Sequence, residues 1–409
     1  MADRMLDLLT RLNAVVGVSG DEERVAAVIG EELEGAYDDH LADALGNHVF
    51  TRRGADSAPT VMLCAHMDEL GFVVSHVEDE GFVRIAPVGY HDDRMVIDQV
   101  LRIHGTDGPV DGVTGAKPAH LLTIEERAKA IPLHDLFLDV GSSSRAETQA
   151  MGVQVGQLVS FGRVGSLLNG TRVFSGKAVD DRAGCAVLVE VMRRLADRDI
   201  RATVCATGSV QEEVGIRGAG PIAARIEPDL ALALDVTLCG DTPGVEFSRI
   251  PIRLGQGPAI KYFDWAPETL IGSSVPRRMT RALEQAAERG GVTYQREVLL
   301  GGATDAWGIA GSGRGHRGRL RLAAVALHPL GRRRRASGRS GGRRAARASV
   351  PGGRRHAERR APGRLKSAVR CASPLTAARS MSHDRCRPSA CGSASPRARR
   401  PEVNGSTRP

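Results

Sequence analysis

Three short apolar runs, Thr60-Val-Met-Leu-Cys-Ala65, Thr203-Val-Cys-Ala-Thr207 and Leu230-Ala-Leu-Ala-Leu234, each stop directly at polar residues that can do chemistry. Runs of this length suit strands, and a strand without polar alternation is covered on both faces. Helical spacing fills the intervals between them, at about 181–196 and 217–226. Strands alternating with helices predict an α/β fold, whose ligands gather at the carboxyl ends of the strands. The polar residues that follow the runs are therefore candidates for a single site.

Residues 3–16 carry Met5, Leu8, Leu9, Leu12, Val15 and Val16 at roughly helical spacing. Ser19-Gly-Asp-Glu22 reads as a capping box that opens a second helix, roughly 21–35, with Val25, Val28, Ile29 and Leu33 on one face. Between the first and second polar clusters, Gly71-Phe-Val-Val-Ser-His76 and Gly81-Phe-Val-Arg-Ile85 run apolar or alternate, with Gly and Asp as punctuation. We read 70–165 as a β-rich domain inserted into the α/β domain, which then comprises 1–69 and 166–313.

Four clusters carry the chemistry. In Ala65-His66-Met67-Asp68-Glu69, a histidine just past a buried strand can offer a ring nitrogen to a metal, and Asp68 can hold the other nitrogen. A surface histidine beside ordinary acids is the plain alternative. In Ser175-Gly-Lys-Ala-Val-Asp180-Asp181-Arg182-Ala-Gly184, two acids open a helix, either to meet its dipole or to bridge two cations. In Gln211-Glu212-Glu213-Val-Gly215, adjacent carboxylates repel and are often solvated. Beside a dication, one can bind while the other stays free as a general base. In Leu232-Ala-Leu-Asp235-Val-Thr237, an aspartate ending an apolar strand is costly unless it is paired, metal-bound or set in a cap or turn. Together, imidazole and hard oxygen donors at the strand ends of one sheet describe a two-metal hydrolase site.

The motifs AHMDELG at 65–71, SGKAVDDRAG at 175–184, QEEVGIRGA at 211–219, LALDVT at 232–237 and GGATDAWG at 301–308 resemble those of the M42 metallopeptidases, the glutamyl and tetrahedral aminopeptidase group. The resemblance covers about residues 1–313. It implies a zinc-peptidase-type α/β/α catalytic domain, a PDZ-like dimerisation domain as the insert, and self-compartmentalised homo-oligomers, often dodecamers. It implies two divalent metal ions per subunit, Zn²⁺ or Co²⁺, and removal of N-terminal residues from peptide substrates. By the same resemblance Asp180 would bridge both metals. His66 and Asp235 would complete one site, and Glu213 would serve the other. Glu212 would be the general base toward the metal-bridging water, and Asp68 would orient His66. One further ligand is implied, a histidine in a segment like R-Y-I-H-S-P downstream of the G-G-T-D-A motif.

That segment is missing. The net charge of +8 is unevenly divided: residues 314–409 hold 25 arginines and one lysine against three acids, a surplus of +23, which leaves −15 for residues 1–313. After Gly313 no period of 2 or 3.6 persists. Such a composition cannot bury a core and predicts a disordered basic tail, with the sheet losing its final strand. The peptide Arg314–Leu330 can be written in codons that, one base later, read Ala-Gly-Ile-Ala-Val-Gly-Cys-Val-Ser-Leu-Pro-Ser-Arg-Tyr-Ile-His. We read the tail as out of frame from near Gly313, through a one-base shift that is either genuine or a sequencing error. His328 lies one residue from the expected place, and a one-residue slip turns a strand side chain to the opposite face. The second metal is then expected to bind weakly and the peptidase to be impaired.

The competing expectation is an inactive, non-enzymatic relative whose basic tail binds nucleic acid electrostatically. The tail has no aromatic residue on which bases could stack, so no specific nucleic-acid partner is expected. Seven cysteines without a C-x-x-C pair, no basic-then-apolar leader and no 18-residue apolar run predict a cytoplasmic protein with no membrane association.

Overall fold

The structure, a computed structural model, describes residues 2–170, 173–312 and, as backbone alone, 321–327. Two helices lead, α1 (Ala2–Ala14) and α2 (Glu23–Glu32). A hairpin of β1 (Asp39–Ala42) and β2 (His48–Arg52) precedes β3 (Thr60–His66). Next come β4 (Gly71–Val77), β5 (Val83–Val88), β6 (Val100–Gly105) and β7 (Gly108–Gly115). The short helix α3 (Ile124–Arg127) leads to β8 (Phe137–Asp139), and α4 (Arg145–Ala150) leads to β9 (Leu158–Phe161). A two-residue hairpin, β10 (Ser166–Leu167) with β11 (Phe174–Ser175), opens the remainder. That remainder is α5 (Val179–Ala196), β12 (Thr203–Ser209), α6 (Ala219–Ile226), β13 (Leu230–Val236), β14 (Ala259–Trp265), α7 (Arg277–Gly290), β15 (Gln295–Leu300), α8 (Asp305–Ser312) and β16 (Arg321–Leu327).

Eight strands form one sheet in the order β1-β2-β12-β3-β13-β16-β14-β15. The three apolar runs are its neighbours β12, β3 and β13, all parallel. Side chains alternate faces along a strand, and the two cores divide accordingly. Leu63, Ala65, Val204, Ala206 and Leu234 join Leu12, Ile29, Leu188 and Met192 of α1, α2 and α5 on one face. Met62, Cys64, Cys205, Ala231 and Ala233 join Ile222 of α6 and Ile309 of α8 on the other. Each fully buried leucine or isoleucine contributes about 2 kcal/mol. The alternation fixes the site: His66 continues the Met62–Cys64 face and Asp235 continues the Ala231–Ala233 face, so both emerge on the same side of neighbouring strands.

The β-rich segment folds as a closed six-stranded barrel, β4-β5-β8-β7-β6-β9, around Phe72, Val74, Val83, Ile85, Leu101, Ile103, Leu138 and Val159. Closure leaves it no unpaired edge. Its strands lie between residues 71 and 161, whereas those of the large sheet lie at 39–66 and 203–327.

Two expectations need correction. Ser19 does not cap α2, whose N-cap is Glu22 and has no side-chain cap. The Ser19 hydroxyl donates instead to Asp68 Oδ2 at 2.6 Å, because the site offers it a buried carboxylate. Nor does the sheet lose its final strand. Residues 321–327 form β16, parallel to β13 and antiparallel to β14. The run from Leu322 to Leu327 is wholly apolar, which suits a central strand covered on both faces whatever frame encodes it. The expectations for 314–320 and 328–409, including His328 and the basic tail, lie outside the described residues. No helix among the described residues is long and apolar enough to cross a membrane.

Candidate metal centre

His66 is the hub. Its Nε2 lies 3.0 Å from Asp180 Oδ1, and its Nδ1 lies 3.3 Å from Asp68 Oδ1 without reaching hydrogen-bond geometry. One ligand atom each from His66, Asp180 and Glu213 lie within 4.8 Å of one another, and so do those of His66, Asp181 and Asp235. The structure thus brings together all four sequence-assigned metal ligands. It adds Asp181, which sequence reasoning held only as one of two acids at the head of a helix. Glu212 belongs to neither group.

The loops are shaped to deliver these acids. Ala178 (φ 50°) and Gln211 (φ 55°) sit in the left-handed region that side chains seldom adopt, one just before each acidic pair. Asp180 and Asp181 depart from helical angles at the head of α5. Gly184 donates its N–H to Asp181 Oδ1 at 2.9 Å, and a Cβ at Gly184 would fall 2.2 Å from Asp181 Oδ2. That close approach explains the glycine ending SGKAVDDRAG.

Asp68 is fully buried and accepts three hydrogen bonds from two segments. It accepts from Glu212 N at 2.9 Å, Glu213 N at 3.1 Å and the Ser19 hydroxyl. Burial would raise its carboxyl, but contact with His66 and these donors holds it below the usual aspartate value. It therefore couples the His66 loop to the Glu212–Glu213 turn as well as facing His66.

The carboxylates opposite behave otherwise. Burial first, and then Asp180, push Asp235 up to about 8, with His66 and Lys261 opposing. Burial and Glu213 raise Glu212 well above the ordinary range; burial and Asp180 do the same to Glu213; burial and Asp235 do so to Asp181. Burial would lower His66, yet Asp180, Asp68 and Glu212 raise it well above its usual value. Crowded acids with a buried, unpartnered Asp181 Oδ2 are the donor set that a divalent cation would satisfy. The residues present fit metal ions.

Sequence reasoning missed the supports. Glu69, buried behind His66, accepts from Lys177 Nζ at 2.6 Å, Gly17 N at 3.0 Å and Arg182 Nη2 at 3.4 Å. Lys177 also donates to Val15 O at 3.0 Å, and Arg182 donates to Leu12 O at 3.3 Å and to Met67 O. This network ties the strand end bearing His66 to the loop bearing Asp180. Asp305, in GGATDAWG, accepts from Ser209 and from Cys64 Sγ at 3.4 Å beneath the site. The available signal was that charged residues stood inside motifs flanked by apolar strands.

Comparisons with known proteins identify the family. The family model described as M42 glutamyl aminopeptidase matches residues 46–325. This chain belongs to the M42 family. Members of that family are aminopeptidases, hydrolases acting on peptide bonds. A glutamyl aminopeptidase of Lactococcus lactis subsp. cremoris is 32% identical over 266 residues, which is 64% of this chain and 73% of that one. The TET aminopeptidase of the marine sediment archaeon Thaumarchaeota archaeon SCGC AB-539-E09 superposes with a TM-score of 0.74 at 31% identity, covering 80% of this chain and 88% of that chain. The Pyrococcus horikoshii TET1 peptidase, which assembles into a tetrahedron or a large octahedral shell, superposes with a TM-score of 0.68 at 30% identity, covering 79% and 90%.

Proposed function

We propose that this chain carries a two-metal aminopeptidase site in which the second metal position is one ligand short. The supporting observation is that two groups sharing His66 gather potential ligand atoms within 4.8 Å of one another, one with Asp180 and Glu213, the other with Asp181 and Asp235. His66, Asp180 and Asp235 would hold one divalent ion, Zn²⁺ or Co²⁺, with Asp181 beside His66 and Asp235 as a further oxygen donor. Asp180 and Glu213 would hold the other, with the family histidine lost to a frame change near Gly313. When bound, the ions polarise the scissile carbonyl and ease deprotonation of water.

The chain's own residues do the rest. Glu212 takes the proton of the attacking water and returns it to the departing amine. Asp68 orients His66 and sets the backbone of the Glu212–Glu213 turn. The substrates are peptides trimmed from the N-terminus, and the working form is a homo-oligomer, as in the TET neighbours. The barrel is the natural candidate for the dimer contact.

Hydrolysis of aminoacyl-p-nitroanilides tests this reading. Slow, Co²⁺-dependent turnover that a frame-restored chain carries out faster is expected. Turnover indifferent to both metal and frame would sink it. For the frame change itself, a second reading frame at the locus that lacks the Arg-Tyr-Ile-His codons ends the idea.

A further inference from the structure

A cleft of about 390 Å³ opens between the barrel and the segments that follow α1. It is apart from the metal ligands. Arg102 and His104 of β6, Ser160 of β9, Arg24 of α2 and Lys177 all line it, and no acid does. A cleft lined by charge of one sign concentrates counter-ions. Two of its cations already have carboxylates, Arg102 with Asp111 at 2.6 Å and Lys177 with Glu69 at 2.6 Å. Two groups are available. Among the described residues, Arg24 makes no ion pair and His104 Nε2 meets only the Ser160 hydroxyl, at 3.0 Å. Burial holds the His104 imidazole low, and Arg24 and Lys177 lower it further. Asp21 and Glu69 act the other way, but neither lines the cleft.

We propose that this cleft binds a small anion, a phosphate- or carboxylate-bearing molecule, with Arg24 as its charged anchor and His104 and Ser160 as hydrogen-bonding partners. The volume suits a small molecule. Lys177 is shared between the cleft and the Glu69 network, so an anion there would sit one side chain away from the loop of Asp180. The proposal does not depend on the metal centre being complete.

Calorimetric titration of the full chain with inorganic phosphate, and separately with succinate, tests it. Saturable binding of at least one is expected, weakened about tenfold or more by Arg24→Gln and by His104→Asn. The exposed Arg127→Gln, outside the cleft, should leave it unchanged. Binding of phosphate alone marks a phosphate-bearing ligand, and binding of succinate alone a carboxylate. Absence of saturable binding by either anion overturns the proposal. So does binding that survives both cleft substitutions, which would place the anion elsewhere, the metal centre included.

Discussion

Glu212 and Glu213 are adjacent, yet their backbone N–H groups share one carboxylate, Asp68, while only Glu213 joins a ligand group. On the proposed reading, that division leaves Glu212 free to act as the base. In the frame-restored chain, Glu212→Gln is expected to lower kcat about 100-fold or more with metal content unchanged, read by steady-state kinetics beside elemental analysis. Loss of metal instead would make Glu212 a ligand. Lys177 acts at one remove. Lys177→Met leaves Glu69 short of its nearest cation and frees the Asp180 loop, so Co²⁺ affinity should fall about 10- to 100-fold, with partial rescue in Lys177→Arg. Unchanged affinity in calorimetry would confine Lys177 to stability. Asp68, Glu212, Glu213 and Asp235 could be singled out in the sequence because they follow apolar runs, and Asp180 because two acids open a helix there; Asp181 was not assigned. Glu69, Lys177 and Arg182 were not legible, since a burial network between distant segments leaves no periodic trace.

Strands β3 and β13 place His66 and Asp235 by simple alternation, and their apolar runs made that much of the fold readable. The closed barrel was visible only as β-rich sequence, because closure depends on which strands pair. At α5 the decisive feature is contact. Gly184→Ala would drive a methyl into the Asp181 carboxylate. Metal affinity is expected to drop at least about tenfold while far-UV circular dichroism stays unchanged; equal affinity would show that Asp181 can move freely. For β16, arginine-rich composition argued against order, but seven residues of backbone sufficed to fill the slot between β13 and β14. Strand formation needs only a local apolar run, whereas the ligand beyond it needs a particular residue.

At the scale of the molecule, the acids are a liability without metal. Burial, followed by Asp180, lifts Asp235 from 3.8 to about 8. A carboxyl raised on folding holds its proton more tightly in the native state. Its contribution to stability is full below about pH 4 and is lost as pH climbs through about 8. The metal-free protein should therefore melt at a lower temperature at pH 8 than at about pH 5.5, and saturating Co²⁺ should narrow the gap. A metal-free Tm that rises over this interval would contradict the buried-acid reading.

Metal binding at such a site displaces protons and counts ligands. Calorimetric titration of the purified chain with Co²⁺ near neutral pH reads that number directly. One tightly held ion per chain, with a second at least about a hundredfold weaker, is expected on the proposed reading, in which His66, Asp180 and Asp235 hold the first ion and the last histidine is lost. Two equally tight ions per chain, accompanied by peptide turnover, would contradict it.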